Sequence, residues 1–200
     1  KDFAEIVDLG SAKSVTRTAE QTETALLWWS TGTVLWNQPA QQLVIAQSFD
    51  ALRAAHAFAL LNVMIVDAAI SCWDAKYAYK QWRPITGIRH ADVDGNPATV
   101  ADYDWTPLMW TPPFPDYPSG HSVVGGAAAR ALAHSFGARP GVFALTGAGG
   151  RVHRYQGFDE VVQEVIDARV WAGAHWRSSD TLGVEMGNRI ADYVLSQRGQ

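Results

Sequence analysis

Hydrophobic side chains recur along most of this chain at the spacing of an amphipathic α-helix. After Gly120 the i, i+3, i+4, i+7, i+8 pattern is carried by Val124, Ala127, Ala128, Ala131 and Leu132. Similar patterns predict helices at about 18–36, 50–82, 120–137, 159–173 and 179–195. We expect Asp159 to cap the fourth helix, and Ser179 or Asp180 to cap the last. No segment alternates as a half-buried strand does, so the sequence predicts an all-α helical bundle.

Two long connections separate the predicted helices. The first runs from Ile85 to Pro118 and is rich in proline and aromatic residues, and such length is usually functional. The second runs from Gly137 to Phe158 and contains a cluster of glycines. We expect a flexible surface turn there, because no strand pattern precedes the glycines and no Lys-Ser/Thr pair follows them, as a phosphate-binding loop requires.

Length and composition are those of one globular domain, which we expect to span residues 1–200. Of the 200 residues, 48% are hydrophobic and 18% are charged. A formal net charge of −4 with no row of basic residues excludes a nucleic-acid surface. The single cysteine, Cys72, lies in an apolar run, so we expect a buried core thiol and no intrachain disulfide.

One apolar stretch, from Ala54 to Trp73, approaches the length of a membrane span. Three polar side chains interrupt it, those of His56, Asn62 and Asp67. Because polar groups are costly in a bilayer, we expect a buried core helix and no membrane insertion. The chain starts without an initiator methionine or a leader pattern, so we expect it to be processed from, or part of, a longer polypeptide.

The candidate chemistry begins with Lys76-x6-Arg83-Pro84. On a continuous helix, Trp73 and the three cations Lys76, Lys80 and Arg83 share one face near its C-terminal end. Cations there also suit the helix dipole, which is the simpler interpretation for the lysines. Pro84 ends the helix, however, and a guanidinium fixed at that corner can bind an oxyanion through two parallel hydrogen bonds.

The second fragment is Pro118-Ser119-Gly120-His121, and it predicts a helix N-terminus. Unpaired backbone N–H groups and the positive end of the helix dipole make such a terminus an anion site. Ser119 adds a hydroxyl donor, and His121 faces the same point from the first turn. Taken alone, Ser119 is more typical of an ordinary N-cap.

The third fragment is Arg169-x5-His175. On a regular helix the two side chains point about 120° apart, so they face one site only if the helix ends between them. Gly173 makes that end, and we expect Arg169 on the last turn and His175 on the link to the next helix. Taken alone, His175 is more typical of a capping or core histidine.

A divalent metal is a poor fit to these residues. Neither His121 nor His175 has a second histidine or a carboxylate at a recognised ligand spacing, and neighbouring cations repel a metal cation. Together the three fragments describe a site for a tetrahedral oxyanion, such as phosphate or an oxometallate, with a histidine on each side for chemistry.

The three fragments, in this order, resemble the signature of the type 2 phosphatidic acid phosphatase and vanadium haloperoxidase superfamily, whose core is a helical bundle. The resemblance implies that the oxyanion is held by Lys76, Arg83, Ser119, Gly120, Arg169 and His175. It implies that His175 bonds to phosphorus or vanadium and that His121 is the acid–base group. It also implies a secreted or periplasmic protein.

Two reactions are known for that superfamily. In a phosphatase His175 attacks phosphorus, forming a phosphohistidine, while His121 protonates the leaving oxygen. In a haloperoxidase vanadate stays bound at His175, and hydrogen peroxide oxidises a halide to hypohalous acid with Lys76 polarising the peroxide oxygen. The expected partners are then hydrogen peroxide, a halide and a small organic acceptor. Phosphate or sulfate can occupy the same site.

The surrounding residues favour the haloperoxidase. The runs that contain Trp73 and Phe114 resemble those of fungal-type vanadium chloroperoxidases, in which these two aromatic residues shape the halide pocket; core packing is the simpler role of such residues. Phosphatases of this group commonly carry an aspartate where this chain has Ser179. Asp180 could reach His175 if the link bulges, but a weakened pair counts against hydrolysis.

We therefore predict a vanadium-dependent haloperoxidase. An acid phosphatase of the same fold is the first alternative, and a non-catalytic oxyanion-binding module is the second. The oligomeric state, the preferred halide and the organic substrate stay open.

Overall fold

Helices make up most of the structure, and their ends place the candidate residues. The computed structural model describes residues 1–30 and 32–197. In chain order its elements are α1 (Asp2–Leu9), α2 (Ala19–Leu27), α3 (Gly32–Ala46), α4 (Ala51–Tyr79), α5 (Pro84–Arg89), α6 (Gly120–Phe136), β1 (Phe143–Thr146), β2 (Val152–Tyr155), α7 (Phe158–Trp171) and α8 (Arg177–Gln197). Short 3₁₀ turns lie at Ala91–Val93 and Ala148–Gly150. The predicted helical bundle is confirmed, with one hairpin added.

The longest helix, α4, has a clear signal at each end. The Asp50 carboxylate caps it by accepting a hydrogen bond from the Arg53 N–H at 2.8 Å. Lys80 ends it in a left-handed conformation at φ 51°. The helix therefore stops before Trp82, and Pro84 begins α5 at the position where proline is favoured instead of ending α4.

The expectation that the connection at 137–158 is only a flexible turn is wrong. Strands β1 and β2 pair antiparallel there, with Phe143 opposite Tyr155. Phe143 and Leu145 alternate inwards, and the Phe143 ring stacks on Phe158 at 5.1 Å between centroids. Glu164 holds the hairpin to α7, because its carboxylate accepts a 2.5 Å hydrogen bond from the Tyr155 hydroxyl. The alternation was missed because each strand is only four residues long.

Three helix boundaries also differ from the prediction. The segment at 18–36 is two helices, α2 and α3, because the chain leaves helical geometry after Leu27; Thr31, which the prediction included, lies outside the described residues. Asp159 is inside α7, whose N-cap residue is Gly157. Ser179 and Asp180 are not caps either, because α8 already begins at Arg177.

The core lies between α3, α4, α6 and α7 and extends to β1. Its largest fully buried side chains include Trp28, Trp36, Leu60, Leu61 and Met64. Cys72 is buried at the edge of this core as a free thiol, as expected. This packed interior fixes α4 and α6 relative to each other, and hence the two fragments they carry.

Helices α6 and α8 approach each other closely through glycines. A Cβ atom at Gly126 would lie 2.5 Å from the Val184 carbonyl oxygen, and one at Gly187 would overlap the Val123 carbonyl oxygen. A Cβ at Gly183 would lie 3.2 Å from the Ser119 carbonyl oxygen. The crossing of these helices therefore depends on the absence of side chains, and it sets where the N-terminus of α6 lies.

One face of α4 packs in the core and the other is exposed. Leu60, Met64 and Ala68 are buried, whereas Val66 is 54% and Ile70 is 64% exposed. Within the described residues, the helical stretch Ala51–Arg89 is long and apolar enough to cross a bilayer, judged by length and composition alone. Of its most apolar 18 residues, 39% are buried in the fold. The expected core helix is thus confirmed for one face.

Candidate active site

The predicted site residues meet where several helices end. Lys76 lies in the last turn of α4, Ser119 is the N-cap residue of α6, and Arg169 lies in the last turn of α7. Arg83 immediately precedes α5, and His175 lies on the link between α7 and α8. The expected positions of Arg169 and His175 are confirmed, with Gly173 at φ +71° making the turn between them.

Lys76 is fully buried and holds the proline-rich connection in place. Its ammonium donates hydrogen bonds to the carbonyl oxygens of Pro115 at 2.9 Å and Asp116 at 2.8 Å. Burial lowers its pKa to about 8. Lys80 does not join it, because it follows the end of α4 and is exposed, so the prediction of a shared basic face is wrong for that residue.

Arg83 is 5% exposed and has most of its donors fixed. Its Nε donates to the Phe114 carbonyl at 2.8 Å, and its Nη1 donates to the Ala174 carbonyl at 2.7 Å. Nη1 also lies 3.0 Å from Nε2 of His175. Its Nη2 has no hydrogen-bond partner among the described residues. Burial lowers the pKa of Arg83 to about 10, so the group keeps its charge at neutral pH.

Arg169 presents a buried donor without a partner in the described chain, and Ser119 presents a buried hydroxyl beside it. Arg169 donates from Nη1 to the Trp28 carbonyl at 3.3 Å, while its Nε has no partner within the described part of the chain. The Ser119 hydroxyl is fully buried and makes no cap hydrogen bond; its side-chain interaction is with the buried carboxylate of Asp180. The interpretation of Ser119 as an ordinary side-chain N-cap is therefore wrong.

Aromatic side chains wall a cavity of about 280 Å³ beside these groups. Trp73 and Phe114 pack at 5.2 Å between ring centroids, and the Lys76 ammonium lies 5.2 Å from the Phe114 ring. A Cβ at Gly120 would be 3.2 Å from the Trp73 indole, so this glycine lets the indole approach the first turn of α6. The cavity also reaches His121, Arg169 and His175.

The two histidines differ in their surroundings. His121 is half-buried at the cavity, with Nε2 at 3.2 Å from the Ser30 carbonyl oxygen. Burial, with Arg169 nearby, lowers its pKa to about 3, so its ring is neutral at physiological pH. His175 is 2% exposed, and burial together with Arg83 and Lys76 holds its pKa well below the usual range. Both rings can therefore accept a proton or act as a ligand.

Asp116 is the residue that the sequence analysis missed. Its carboxylate is fully buried, with Oδ1 at 2.9 Å from Nδ1 of His175. The contact lacks hydrogen-bond geometry, so neither atom is hydrogen-bonded within the described residues. Ser179 donates its hydroxyl hydrogen to the other carboxylate oxygen. Burial raises the pKa of Asp116 to about 7. The one signal in the sequence was an acidic residue between prolines, just before Ser119.

Asp180 does not reach His175, so that expectation is wrong. Its fully buried carboxylate instead accepts a 2.6 Å hydrogen bond from the Ser122 hydroxyl of α6. Because α8 already starts at Arg177, the side chain of Asp180 is directed by the helix towards α6 instead of along a bulged link. Burial raises the pKa of Asp180 to about 7, and hydrogen bonds from Ser119 and Ser122 oppose the shift, with the charge of Arg169 adding to them.

The donor set fits a tetrahedral oxyanion. Buried polar groups are rarely left unpaired, yet Arg83 Nη2 and Arg169 Nε are both donors without partners among the residues described. An acceptor-rich anion satisfies such donors and is attracted by the cations around it. The same residues suit a metal cation poorly, since no group of three or more His, Cys, Asp or Glu side chains in the described chain could hold one.

Comparisons with known proteins agree with this chemistry. Residues 56–199 match the family model described as the VCPO second helical-bundle domain. Vanadium chloroperoxidase of Curvularia inaequalis is 35% identical over 99 residues, which cover 44% of this chain and 16% of that protein.

Solved structures extend the likeness to nearly the whole chain. The first bacterial vanadium-dependent iodoperoxidase matches with a TM-score of 0.85 at 27% identity, covering 98% of this chain and 48% of its own. An apo-type bacterial vanadium-dependent chloroperoxidase shares the fold, with a TM-score of 0.68 at 18% identity over 96% of this chain and 46% of its own. The chain thus spans about half the length, or less, of the relatives it matches.

Proposed function

The chain belongs to the VCPO second helical-bundle domain family, within the vanadium haloperoxidases, and from this membership we propose that it is a vanadium-dependent haloperoxidase. It binds vanadate between His121 and His175 and uses hydrogen peroxide to oxidise a halide to hypohalous acid, which halogenates a small organic acceptor. The observation that supports this most is the pair of buried guanidinium donors without partners on Arg83 and Arg169 among the described residues.

Oxyanion binding follows from the positions of those donors. The guanidinium groups supply charge and directed N–H groups, and Ser119 adds a hydroxyl. The Lys76 ammonium brings a further charge, although it already donates to two carbonyl oxygens. The N-terminus of α6 at Gly120 contributes backbone N–H groups and the positive end of its dipole. Together these groups neutralise the charge of a bound oxyanion. The imidazole of His175 is then the one side chain required to bond the central atom.

His175 is suited to bond the central atom of the oxyanion. The guanidinium of Arg83 can only donate, so Nε2 of His175, 3.0 Å from Arg83 Nη1, must present its lone pair. That lone pair is available for a bond to vanadium once the oxyanion takes over the Arg83 donor. When bound, vanadate supplies the activation of peroxide for oxygen transfer.

His121 is suited to move the protons of the reaction. Overall, hydrogen peroxide, a halide ion and a proton yield hypohalous acid and water. A neutral imidazole at the cavity can accept a proton from incoming hydrogen peroxide and return it to the oxygen that leaves as water. The charge of a bound oxyanion raises the pKa of His121 from the value set by burial, which brings it nearer to that task.

The halide meets an aromatic wall and a cation. Trp73, at 39% exposure, and Phe114 flank the cavity, and the Lys76 ammonium lies 5.8 Å and 5.2 Å from their rings. A weakly hydrated anion such as bromide or iodide is attracted by that ammonium and loses little hydration against the rings. We propose the cavity as the place where the halide approaches.

Halogenation of a phenol dye tests the proposal. The full-length protein, freed of oxyanions, is assayed with hydrogen peroxide and bromide or iodide, with and without orthovanadate. We expect halogenation only with vanadate, its loss in His175→Ala and its retention in His134→Ala, a histidine on α6 away from the site. Vanadate that binds but produces no halogenation with any halide would overturn the proposal.

Phosphate ester hydrolysis is a second candidate, because Asp116 supplies the carboxylate partner that His175 lacked in the sequence analysis. In that reaction Nε2 of His175 forms a bond to phosphorus, the ester P–O bond breaks, and His121 protonates the leaving oxygen before water releases phosphate. Ester turnover without vanadate, inhibited by vanadate, would favour it. If neither reaction occurs and His121→Ala leaves oxyanion affinity unchanged, the protein is a binding module.

A further inference from the structure

Asp116 and Ser179 form a buried unit beneath His175. The Asp116 carboxylate is fully buried with one oxygen 2.9 Å from Nδ1 of His175, and Ser179 donates to its other oxygen. The backbone of Asp116 is fixed as well, because its N–H donates to Gln81 at 3.0 Å and its carbonyl accepts from Lys76 at 2.8 Å. The backbone and one carboxylate oxygen of Asp116 are therefore held, and the other oxygen lies beside one ring nitrogen.

The contacts at both ring nitrogens indicate the same tautomer. Arg83 has no acceptor atom, so Nε2 of His175 must receive its hydrogen bond, which places the ring proton of neutral His175 on Nδ1. Oδ1 of Asp116 lies 2.9 Å from that Nδ1, but the contact lacks hydrogen-bond geometry, so neither atom is hydrogen-bonded among the described residues; a small rotation of the ring aligns the two. Such outer partners commonly fix the tautomer and the orientation of a ligating histidine.

We propose that Asp116, braced by Ser179, is the positioning residue that keeps the proton of His175 on Nδ1 and its Nε2 lone pair directed at the oxyanion. This inference rests on the proposed function for the identity of the oxyanion. From the resemblance to phosphatases, this carboxylate was expected at residue 179 or, failing that, at Asp180. The structure has it on the connection before α6, with a serine in its place on α8.

This arrangement couples three parts of the site. The same residue that orients His175 through its side chain holds Lys76 through its carbonyl. A side-chain change at Asp116 removes the contact with the ring but keeps the carbonyl that holds Lys76, so its effect on affinity acts through His175. A change at Ser179 acts only by loosening one carboxylate oxygen, so its effect is smaller.

The test measures the ring and the affinity, besides activity. Nitrogen NMR of labelled full-length protein gives the protonated nitrogen of His175, and vanadate titration gives the dissociation constant. We expect Asp116→Ala to bind vanadate about 10- to 100-fold more weakly and to populate both tautomers. The exchange variant Asp116→Ser/Ser179→Asp places a carboxylate beside the same ring. We expect it to restore most of the vanadate affinity and most of the tautomer with the proton on Nδ1. Asp180→Asn, a change at the other buried carboxylate, leaves the tautomer of His175 unaltered.

Two results would overturn the inference. One is wild-type affinity and tautomer in Asp116→Ala, or, if that variant does not fold, in the nearly isosteric Asp116→Asn. The other is a folded exchange variant that binds vanadate no better than Asp116→Ala. A wild-type protein that binds vanadate without halogenating sinks the proposed function alone, since the tautomer and affinity comparisons are still made.

Discussion

Adjacent glycines in α6 allow a matched test of the helix crossing that positions the site. A Cβ at Gly126 would lie 2.5 Å from the Val184 carbonyl oxygen of α8, whereas a Cβ at Gly125 would meet only the Trp36 side chain at 3.5 Å, an ordinary contact. Replacement by alanine gives both positions the same gain in helix propensity, about 1 kcal/mol. Only Gly126→Ala must also push α8 away, because the contact is with backbone and no side chain can move aside.

The expected difference follows from these distances. Overpacking costs about 1 to 3 kcal/mol in a close-packed interior. For a protein of this size each kcal/mol shifts Tm by about 2 to 4 °C, so Gly126→Ala should melt about 2 to 12 °C below Gly125→Ala. Circular dichroism melts at one pH and urea titrations of both variants give the comparison without reference to any assay of function.

The site provides a second measurement on the same variants. Ser119, Gly120 and His121 form the N-terminal end of α6, and Gly183 of α8 packs against the Ser119 carbonyl. A displaced α8 therefore misplaces the Ser119 donor, and we expect weaker oxyanion binding in Gly126→Ala than in Gly125→Ala. If Gly126→Ala melts at or above the temperature of Gly125→Ala, the close crossing is not a constraint and the reasoning is refuted.

Two further predictions concern the charges of the site. Vanadate at about 100 times its dissociation constant should stabilise the protein by about 2.7 kcal/mol in urea unfolding; Arg83→Ala should lose that gain at the same concentration, whereas Arg130→Ala, an exposed arginine on α6, should keep it. The second concerns His121, whose folded pKa of about 3 lies below its ordinary 6.5. The neutral ring contributes stability that is present above pH 6.5 and lost as the pH falls towards 3. Over that range the free energy of unfolding of the wild type should therefore fall by about 2 kcal/mol more than that of His121→Gln, after allowance for the partial exposure of the ring. Parallel pH curves for the two proteins would contradict it.

The sequence predicted the parts of the fold that depend on local signals. Asp50, Gly120 and Gly173 begin or end their helices as local chemistry requires, so the long helices and the link that carries His175 were predicted correctly. The break after Leu27 and the short hairpin were missed, because tertiary packing and not local pattern decides them.

The site was predicted as a set of residue types but not as a network. Lys76, Arg83, Ser119 and Arg169 were found because their spacing matches a known signature. Asp116 was not, since its partner His175 is distant in sequence and no pattern joins them. A carboxylate can reach one imidazole from more than one element of a fold, so only three-dimensional structure shows which element supplies it.

The spacing of the cations along the chain has a consequence for folding. Arg83 and His175 meet although 92 positions separate them, and Arg169 reaches the Trp28 carbonyl across 141. Contacts of such separation form late, after the entropy of closing long loops has been overcome. We therefore expect affinity for an oxyanion to appear only after the segment from Arg169 to His175 has packed against Trp28 and Arg83.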